Sequence, residues 1–315
     1  MKESIPVIVG PTGSGKTLLG LEWAHRAGGE IISADSRQIY RHLTVGTAKP
    51  LGRWSPTPRH PEKNVYWVEG VPHHLVDVLE PTEAYNAGLF ARQAGEQIAS
   101  LMAEGQPVAL AGGTGLYLRA LIDGLAPLPP RDEGIRSELA GRAAREGNQA
   151  LHAELARLDP EAAQNIPPNN VARVARALEV HRLTGKPLSW WQKEKTKPSA
   201  LPFRWYGLLW PKDALERLIA ERCRKMLQGG MLEETEALLA AGVPPSAPGL
   251  QALGYGLAID FLQGRLPKEE LEEKFIRQTR LYTKRQMTWF RANKRIRWLN
   301  VESPHDLFRW GRKIR

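Results

Sequence analysis

Cysteine is nearly absent from this sequence, since Cys223 is the only one in 315 residues. A single thiol excludes an intramolecular disulfide framework and a cysteine-rich zinc cluster. Apolar runs of membrane-spanning length are also missing, and a strand-like segment, Ile5 to Val9, starts within the first five residues. We therefore expect neither a transmembrane helix nor a signal peptide, and the expected location is the cytoplasm.

Acidic residues are missing from one long stretch near the C-terminus, because none occurs between Phe275 and Arg297. From Arg265 to the end there are 15 Lys and Arg against 6 Asp and Glu, a surplus of 9, while the whole chain carries a net charge of +10. Such a basic block indicates a polyanionic partner, most simply nucleic acid. The alternative is a solvated basic face without a partner.

The most informative motif is GPTGSGKT, residues 10–17, which fits the phosphate-loop pattern G-x-x-x-x-G-K-[ST]. A buried strand by pattern precedes it, and LLGLEWAH, typical of a helix, follows it. Glycines in such a turn let successive amide N–H groups point at phosphate oxygens. Lys16 would add a charge and Thr17 a hydroxyl ligand for magnesium. The motif predicts a site for a diphosphate or triphosphate, and the alternative is an ordinary glycine-rich turn.

Two further strands are predicted to end beside this loop. GGEIISAD ends at Asp35, which would face the ligand crevice of a parallel α/β sheet or cap the next turn. PVALA, residues 107–111, leads into a second glycine-rich turn, where Thr114 would cap a helix or contact an anion. No Asp ends this strand, although a nucleotide hydrolase or kinase would often carry its magnesium-binding acid there.

The segment from residue 50 to 72 is rich in proline and is expected to be an exposed excursion outside the core. HHLVDV, residues 73–78, then has the pattern of a short strand. Because neighbouring residues of a strand point to opposite faces, His73 and His74 are not expected to share a metal ion.

Helical patterns replace the strand patterns from Pro127 onwards and persist for about seventy residues, which is too long for a loop. The strand pattern returns at RWYGLL, residues 204–209. The sequence therefore predicts an α/β fold, with a P-loop parallel-sheet core and a helical, basic C-terminal region in residues 1–126 and 201–315. A helical insertion domain would occupy residues 127–200.

The last long helix is predicted from about residue 268 to 293. Phe275, Tyr282 and Trp289 recur every seven residues and form one stripe, and Arg277 and Lys284 follow the same spacing on another side. We expect the aromatic stripe to pack in the core, with base stacking as the alternative. The basic side would contact phosphates.

Several of these motifs occur together, and in the same order, in one known family. GPTGSGKT, SADSRQIYRHLTVGTAKP at 33–50, VPHHLVDV at 71–78, AGGTGLYLRALIDGL at 111–125, LGY at 253–255 and TKRQMTWFR at 283–291 resemble the bacterial tRNA dimethylallyltransferases. The segments DSRQIY, GTAKP and KRQMTWFR carry more of the resemblance than the phosphate loop. The chain departs from the family pattern at Asn170, Gln251 and Gly256.

The resemblance implies transfer of a dimethylallyl group from dimethylallyl diphosphate to the exocyclic amine of the adenosine 3' of the anticodon. It implies Asp35 as general base, with Thr114 and Lys16 as further catalytic residues and magnesium, bound by Thr17, as cofactor. The diphosphate would lie on Gly10, Pro11, Thr12, Gly13, Ser14, Gly15, Lys16 and Thr17. A tRNA anticodon stem-loop is the implied partner of a monomeric enzyme without a membrane contact. The expected tRNA-contacting residues are Asp35, Ser36, Arg37, Gln38, Thr114, Arg136, Ala172, Arg173, Val174, Ala175, Arg176, Gln251, Ala252, Leu253, Gly254, Tyr255, Gly256, Arg277, Arg280, Lys284 and Arg285.

Two other functions remain compatible with the motifs alone. A phosphate-loop kinase of a small metabolite or nucleoside would use Asp35 on a hydroxyl and the arginines near residues 131–145 as a lid. It would not need the basic C-terminal helix. A non-catalytic RNA-binding protein would need neither Lys16 nor Thr17.

Overall fold

The computed structural model describes residues 4–314 and contains an eight-stranded, mostly parallel sheet. The strand order is β3-β4-β5-β2-β6-β1-β7-β8. The strands are β1 (Ile5–Val9), β2 (Glu30–Ser33), β3 (Arg53–Pro56), β4 (Asn64–Val68), β5 (Val71–His74), β6 (Val108–Gly112), β7 (Phe203–Leu209) and β8 (Arg297–Asn300). The predicted α/β class with a parallel-sheet core is confirmed.

Thirteen α-helices accompany the sheet in residues 4–314. They are α1 (Lys16–Ala27), α2 (Ala87–Ala103), α3 (Gly115–Ile122), α4 (Glu133–Glu146), α5 (Asn148–Leu158), α6 (Pro160–Asn165), α7 (Val171–Thr184), α8 (Leu188–Glu194), α9 (Lys212–Gln228), α10 (Met231–Ala240), α11 (Tyr255–Leu262), α12 (Lys268–Ala292) and α13 (Pro304–Gly311). A 3₁₀ turn, Gly249–Gln251, precedes α11. None of the helices in this part of the chain is both long and apolar enough to cross a membrane.

The chain divides into two compact units, one up to Ile122 and from Ala200 onwards, the other from Asp123 to Ser199. The first unit contains the sheet. All five residues of β1 are buried because this strand lies between β6 and β7 with helices on both faces. The apolar run that marked this strand in the sequence is therefore the signature of a central parallel strand.

Three neighbouring strands, β2, β6 and β1, run parallel and end at the same edge of the sheet. The phosphate loop follows β1, Asp35 follows β2, and Thr114 follows β6. The carboxyl ends of parallel strands form the ligand crevice of open α/β sheets. This topology collects three segments that are far apart in sequence.

The edge of the sheet beyond β5 differs from the sequence-based expectation. Residues 50–72 are not wholly an exposed excursion outside the core, because β3 and β4 form an antiparallel hairpin that pairs with β5. Val65 and Val68 are buried, so the hairpin extends the core despite its prolines. A strand is present where one was predicted at 73–78, but it lies earlier: β5 is Val71–His74, and Leu75 and Asp77 have positive φ angles of 58° and 57° that end the extended backbone.

The second unit consists of α4 to α8 around its own apolar core. Leu139, Leu151, Leu155, Val174 and Leu178 are buried there. Glu179 is fully buried and accepts hydrogen bonds from the Asp132 amide and from Arg176. The helical pattern predicted from Pro127 onwards is confirmed by these five helices.

Candidate active site at the carboxyl edge of the sheet

The phosphate loop bends through two glycines in the left-handed region, with φ of 76° at Gly13 and 88° at Gly15. A side chain is disfavoured at both φ values. A Cβ on Gly15 would also lie 2.4 Å from Leu307 Cδ1, so α13 packs directly behind the loop. The Trp210 indole N–H donates to the Ser14 carbonyl at 2.9 Å and fixes the loop from the β7 side.

Lys16 begins α1, and its ammonium donates to the Pro11 carbonyl at 2.7 Å. Burial lowers the pKa of Lys16 from its ordinary value of 10.5 to about 8; Asp35 opposes this change and Arg222 adds to it. Burial likewise lowers the pKa of Arg222, and Asp35 opposes that too. Two cations and one carboxylate therefore act on each other electrostatically in this site.

Asp35 combines the two roles that the sequence left open. Its Oδ1 accepts the Arg37 amide at 2.9 Å and the Gln38 amide at 3.4 Å, so the carboxylate organises the following turn. It also lines a cavity together with Lys16. Capping uses Oδ1, and the carboxylate thus has a second oxygen with which to act on a ligand.

Thr114 connects the turn after β6 with the turn after β2. Its Oγ1 accepts the Ser36 amide at 3.0 Å and donates to Ser36 Oγ at 3.3 Å. Its own amide donates to the Ala34 carbonyl at 3.1 Å. Gln38 continues the connection, because its Nε2 donates to the Ala48 carbonyl at 3.0 Å. Thr114 therefore holds the Asp35 turn in place.

One cavity of about 1000 Å³ lies over these segments. Its wall is polar where the phosphate loop, Asp35 and Arg222 line it, and apolar where it passes Val45, Met226 and Phe275. Predicted site residues that line it are Thr12, Gly13, Gly15, Lys16, Thr17, Asp35, Ser36, Arg37, Gln38, Gln251, Ala252, Leu253 and Arg285. The cavity therefore offers a cationic end for an anion and an apolar wall for a hydrocarbon group.

The cavity residues that the sequence analysis did not assign to the site include Arg222 on α9 and Tyr282 and Gln286 on α12. Tyr282 and Gln286 belong to a helix already recognised as functional, but only its exposed basic side was assigned a role. Burial raises the pKa of Tyr282 to about 12. Nothing in the local pattern of α9 separates Arg222 from the other charged residues of that amphipathic helix.

The predicted 251–256 segment is only partly accessible. Gln251 and Gly256 are exposed, whereas Tyr255 is fully buried and its hydroxyl donates to Glu234 Oε1 at 2.5 Å. Glu234 Oε2 accepts the Thr44 and Val45 amides at 2.7 and 2.8 Å. The Tyr255 side chain therefore supports the loop at residues 44–46, which borders the cavity.

The basic side of α12 is exposed to solvent, as the spacing predicted: Arg277, Arg280, Lys284 and Arg285 all lie on it. Phe275 is buried in the core, while Tyr282 and Trp289 are half-buried. The aromatic stripe is thus mainly a packing surface, and its residue Tyr282 also lines the cavity.

The predicted contact residues between 136 and 176 lie in the helical unit. Arg136 pairs with Glu133 at 2.8 Å, and Ala172 and Arg173 are exposed. Val174 is buried in the core of that unit, and Arg176 pairs with Glu179 at 2.7 Å. Ala175 is half-buried.

Oxygen ligands for a magnesium ion occur at the start of α1. The Thr17 hydroxyl and the Asp35 carboxylate line the same cavity. Within residues 4–314, no group of three or more His, Cys, Asp or Glu side chains could hold a metal by itself. Magnesium usually binds through one or two protein oxygens, substrate phosphates and water. The residues present therefore fit a magnesium ion that binds together with a diphosphate.

The chain is similar to known proteins along most of its length. A family model described as IPP transferase matches residues 38–293, and one described as isopentenyl transferase matches residues 3–55. The chain is 44% identical over 288 residues to the tRNA dimethylallyltransferase of Myxococcus xanthus, covering 91% of this chain and 89% of that one. It is 42% identical over 307 residues to the tRNA dimethylallyltransferase of Thermomicrobium roseum, with coverages of 96% and 88%.

A solved structure is also similar. The full-length tRNA isopentenylpyrophosphate transferase of Bacillus halodurans superimposes with a TM-score of 0.68 at 35% sequence identity. The match covers 99% of this chain and 95% of that one. The similarity therefore includes both the sheet-containing part of the sequence and the helical part.

Proposed function

The chain belongs to the tRNA dimethylallyltransferase family and is a prenyltransferase that modifies tRNA, and on this premise we propose how its residues carry out the reaction. The donor is dimethylallyl diphosphate, and the acceptor is the exocyclic amine of the adenosine 3' of the anticodon. One observation carries the proposal: Lys16, Arg222 and Asp35 line one cavity that also has an apolar wall. That combination fits a diphosphate with a short hydrocarbon, beside a group that can accept a proton.

The phosphate loop binds the leaving diphosphate. As the bond between the allylic carbon and the phosphate oxygen breaks, negative charge grows on that oxygen. Lys16, Arg222 and the amides of the loop are preorganised donors for this charge, which is the kind of stabilisation that accelerates such a step most. The hydrocarbon part would pack on the apolar wall that includes Val45 and Met226.

Asp35 accepts the proton of the attacking amine. An adenine amine is a weak nucleophile because its lone pair is delocalised into the ring, so removal of a proton as the carbon–nitrogen bond forms assists the attack. The new bond joins the amine nitrogen to the allylic carbon, diphosphate leaves with the bonding electrons, and the proton passes to the Asp35 carboxylate. The amides of Arg37 and Gln38 hold this carboxylate in position.

Magnesium is the proposed cofactor, with Thr17 as a protein ligand. When bound, it would neutralise charge on the diphosphate and so improve the leaving group. Thr17 is exposed at the start of α1, where its hydroxyl is accessible to an ion carried in with the diphosphate. The proposal predicts that magnesium binding depends on the diphosphate.

The basic side of α12 is proposed to contact the acceptor RNA, and residues 127–200 are proposed as a second tRNA-contacting domain. Arginine and lysine contacts to phosphates would position the stem-loop without reading its sequence. The target base has to leave its stack to reach the cavity, as in other enzymes that modify bases. We further propose that the protein acts as a monomer in the cytoplasm.

The direct test is transfer of label from allyl-labelled dimethylallyl diphosphate to an anticodon stem-loop in the presence of magnesium. We expect labelled RNA and one diphosphate released per label. A stem-loop with guanosine at the position 3' of the anticodon should receive no label. Label elsewhere in that RNA, or transfer of phosphate from ATP with the RNA unmodified, would contradict the proposal.

A further inference from the structure

One buried carboxamide, that of Gln286 on α12, contacts both glycine-rich turns of the site. Its Oε1 accepts the Thr12 amide of the phosphate loop at 2.9 Å. Its Nε2 donates to the Gly113 carbonyl, next to Thr114, also at 2.9 Å. Gln286 is only 8% exposed; its bond to Gly113 is buried and its bond to Thr12 is partly buried. These two turns belong to the ends of β1 and β6, and Gln286 lies 274 and 173 residues away from its two partners.

The bonding is selective for a carboxamide. One partner is an amide N–H, which needs an acceptor, and the other is a carbonyl, which needs a donor. A carboxylate would face the Gly113 carbonyl with a second acceptor, and an apolar side chain would leave both backbone groups unsatisfied. The fit is also close, because a Cβ on Gly113 would lie 2.5 Å from Gln286 Nε2.

The contacts of Gln286 continue on both sides. From Gly113 the chain of hydrogen bonds passes through Thr114 to the Ser36 amide and hence to the Asp35 turn. On α12 itself, one turn earlier, Tyr282 lines the cavity together with Gln286. The opposite side of the same helix carries the exposed basic residues that are proposed to bind RNA, such as Lys284.

We propose that Gln286 is a positioning residue that couples the donor site to the RNA site. Because its planar amide fixes the phosphate loop and the Gly113 turn relative to one helix, a shift of α12 on RNA binding moves the loop that holds the diphosphate. The inference rests on the proposed function in that it takes the phosphate loop as the diphosphate site and α12 as an RNA contact. Such coupling is reciprocal: RNA changes diphosphate affinity by the same factor as diphosphate changes RNA affinity.

The experiment measures the affinity of full-length protein for inorganic diphosphate with magnesium, with and without a saturating anticodon stem-loop. In the wild type we expect RNA to change this affinity by about fivefold or more. Methionine has a similar length to glutamine and neither hydrogen-bonding group. In Gln286→Met, therefore, RNA should change the diphosphate affinity by no more than about twofold. Gln278→Met is the matched control, since Gln278 lies exposed on the same helix, and it should keep the wild-type factor.

A second variant makes the test independent of how well Gln286→Met folds. Gly113→Ala keeps the carboxamide but displaces it through the close contact at Gly113, and it should reduce the factor in the same way. In steady-state assays with saturating RNA, both variants should raise the KM for the donor more than they lower kcat. The direct bond of Gln286 to the phosphate loop is lost or displaced in both, whereas the amides of Arg37 and Gln38 still hold the Asp35 carboxylate.

The proposed coupling would be overturned if RNA changed the diphosphate affinity of Gln286→Met or Gly113→Ala as much as it changes that of the wild type. It would also be overturned if RNA left the diphosphate affinity of the wild type unchanged. Failure of the proposed function looks different: wild-type protein would then not bind diphosphate at all, or Lys16→Met would bind it as well as the wild type. A protein that binds diphosphate through Lys16 without coupling would refute only the role of Gln286.

Discussion

Replacing Lys16 with methionine should stabilise the protein at neutral pH while weakening its affinity for diphosphate. Burial lowers the pKa of Lys16 from 10.5 to about 8, so folding disfavours the charged ammonium. Each pKa unit corresponds to about 1.4 kcal/mol, which gives a cost of about 3 kcal/mol at pH 7. Loss of the bond from Nζ to the Pro11 carbonyl offsets about 1 kcal/mol of this. We therefore expect Lys16→Met to raise the free energy of unfolding by about 2 kcal/mol.

The lowered pKa of Lys16 also predicts how the stability difference between the two proteins changes with pH. Because the folded pKa is lowered, the unfolded chain binds the additional proton between pH 8 and 10.5, and wild-type stability rises with pH across that window. The variant lacks the group, so its advantage should shrink by about 2 to 3 kcal/mol between pH 7 and pH 10. The assay is urea unfolding of both proteins at the two pH values, followed by tryptophan fluorescence.

Binding should change in the opposite direction to stability. A charge-assisted hydrogen bond contributes about 1.5 to 3 kcal/mol, so calorimetry should show inorganic diphosphate binding about 10- to 100-fold more weakly to Lys16→Met. In the wild type, affinity should also weaken above pH 8 as the ammonium loses its proton. A variant that is less stable than the wild type at pH 7, or that shows the same pH dependence, would refute the reasoning.

Three further changes test other parts of the site. Glu234→Gln should lower the free energy of unfolding by about 2 kcal/mol, because three amides at residues 44–46 and the Tyr255 hydroxyl donate to this carboxylate. Glu233→Gln, at an exposed position, is the control. If Glu234→Gln is as stable as the wild type, Glu234 does not stabilise this loop. Replacing both Arg277 and Lys284 with Gln should reduce the log–log slope of RNA affinity against salt concentration by about 1.5. Replacing the ion-paired Arg265 and Lys274 with Gln should reduce this slope less. If the Arg277 and Lys284 variant has the same slope as the wild type, α12 is a solvated face that does not bind RNA. Arg222→Gln should raise the KM for the donor about tenfold or more, measured at saturating RNA, and an unchanged KM would remove Arg222 from the diphosphate site.

The parts of the fold that were predictable are those where local pattern and tertiary role coincide. β1 is apolar throughout because it is buried on both faces, and the phosphate loop is recognisable because Gly13 and Gly15 need φ values that other residues avoid. The helices of the second unit were found because glycine and proline separate them and their apolar residues recur at helical spacing.

The parts that were missed depend on distant contacts. The prolines of residues 50–72 argued against strands, yet β3 and β4 pair at the sheet edge, where proline is tolerated. Gln286 looked like one polar residue on a basic helix, and its role arises only from Thr12 and Gly113 at the far side of the sequence. Arg222 likewise acquires its importance from burial opposite Asp35, which no local spacing reveals.

The central claim, that Asp35 accepts the proton while the phosphate loop holds the diphosphate, is tested most directly by Asp35→Asn in single-turnover transfer to a bound stem-loop. Asparagine keeps an oxygen to accept the Arg37 amide but cannot take a proton at this step. We expect RNA and diphosphate affinities within about threefold of wild type and a transfer rate lower by about a hundredfold or more. Exposed Asp213→Asn should behave as wild type. A near-normal transfer rate in Asp35→Asn would contradict the account.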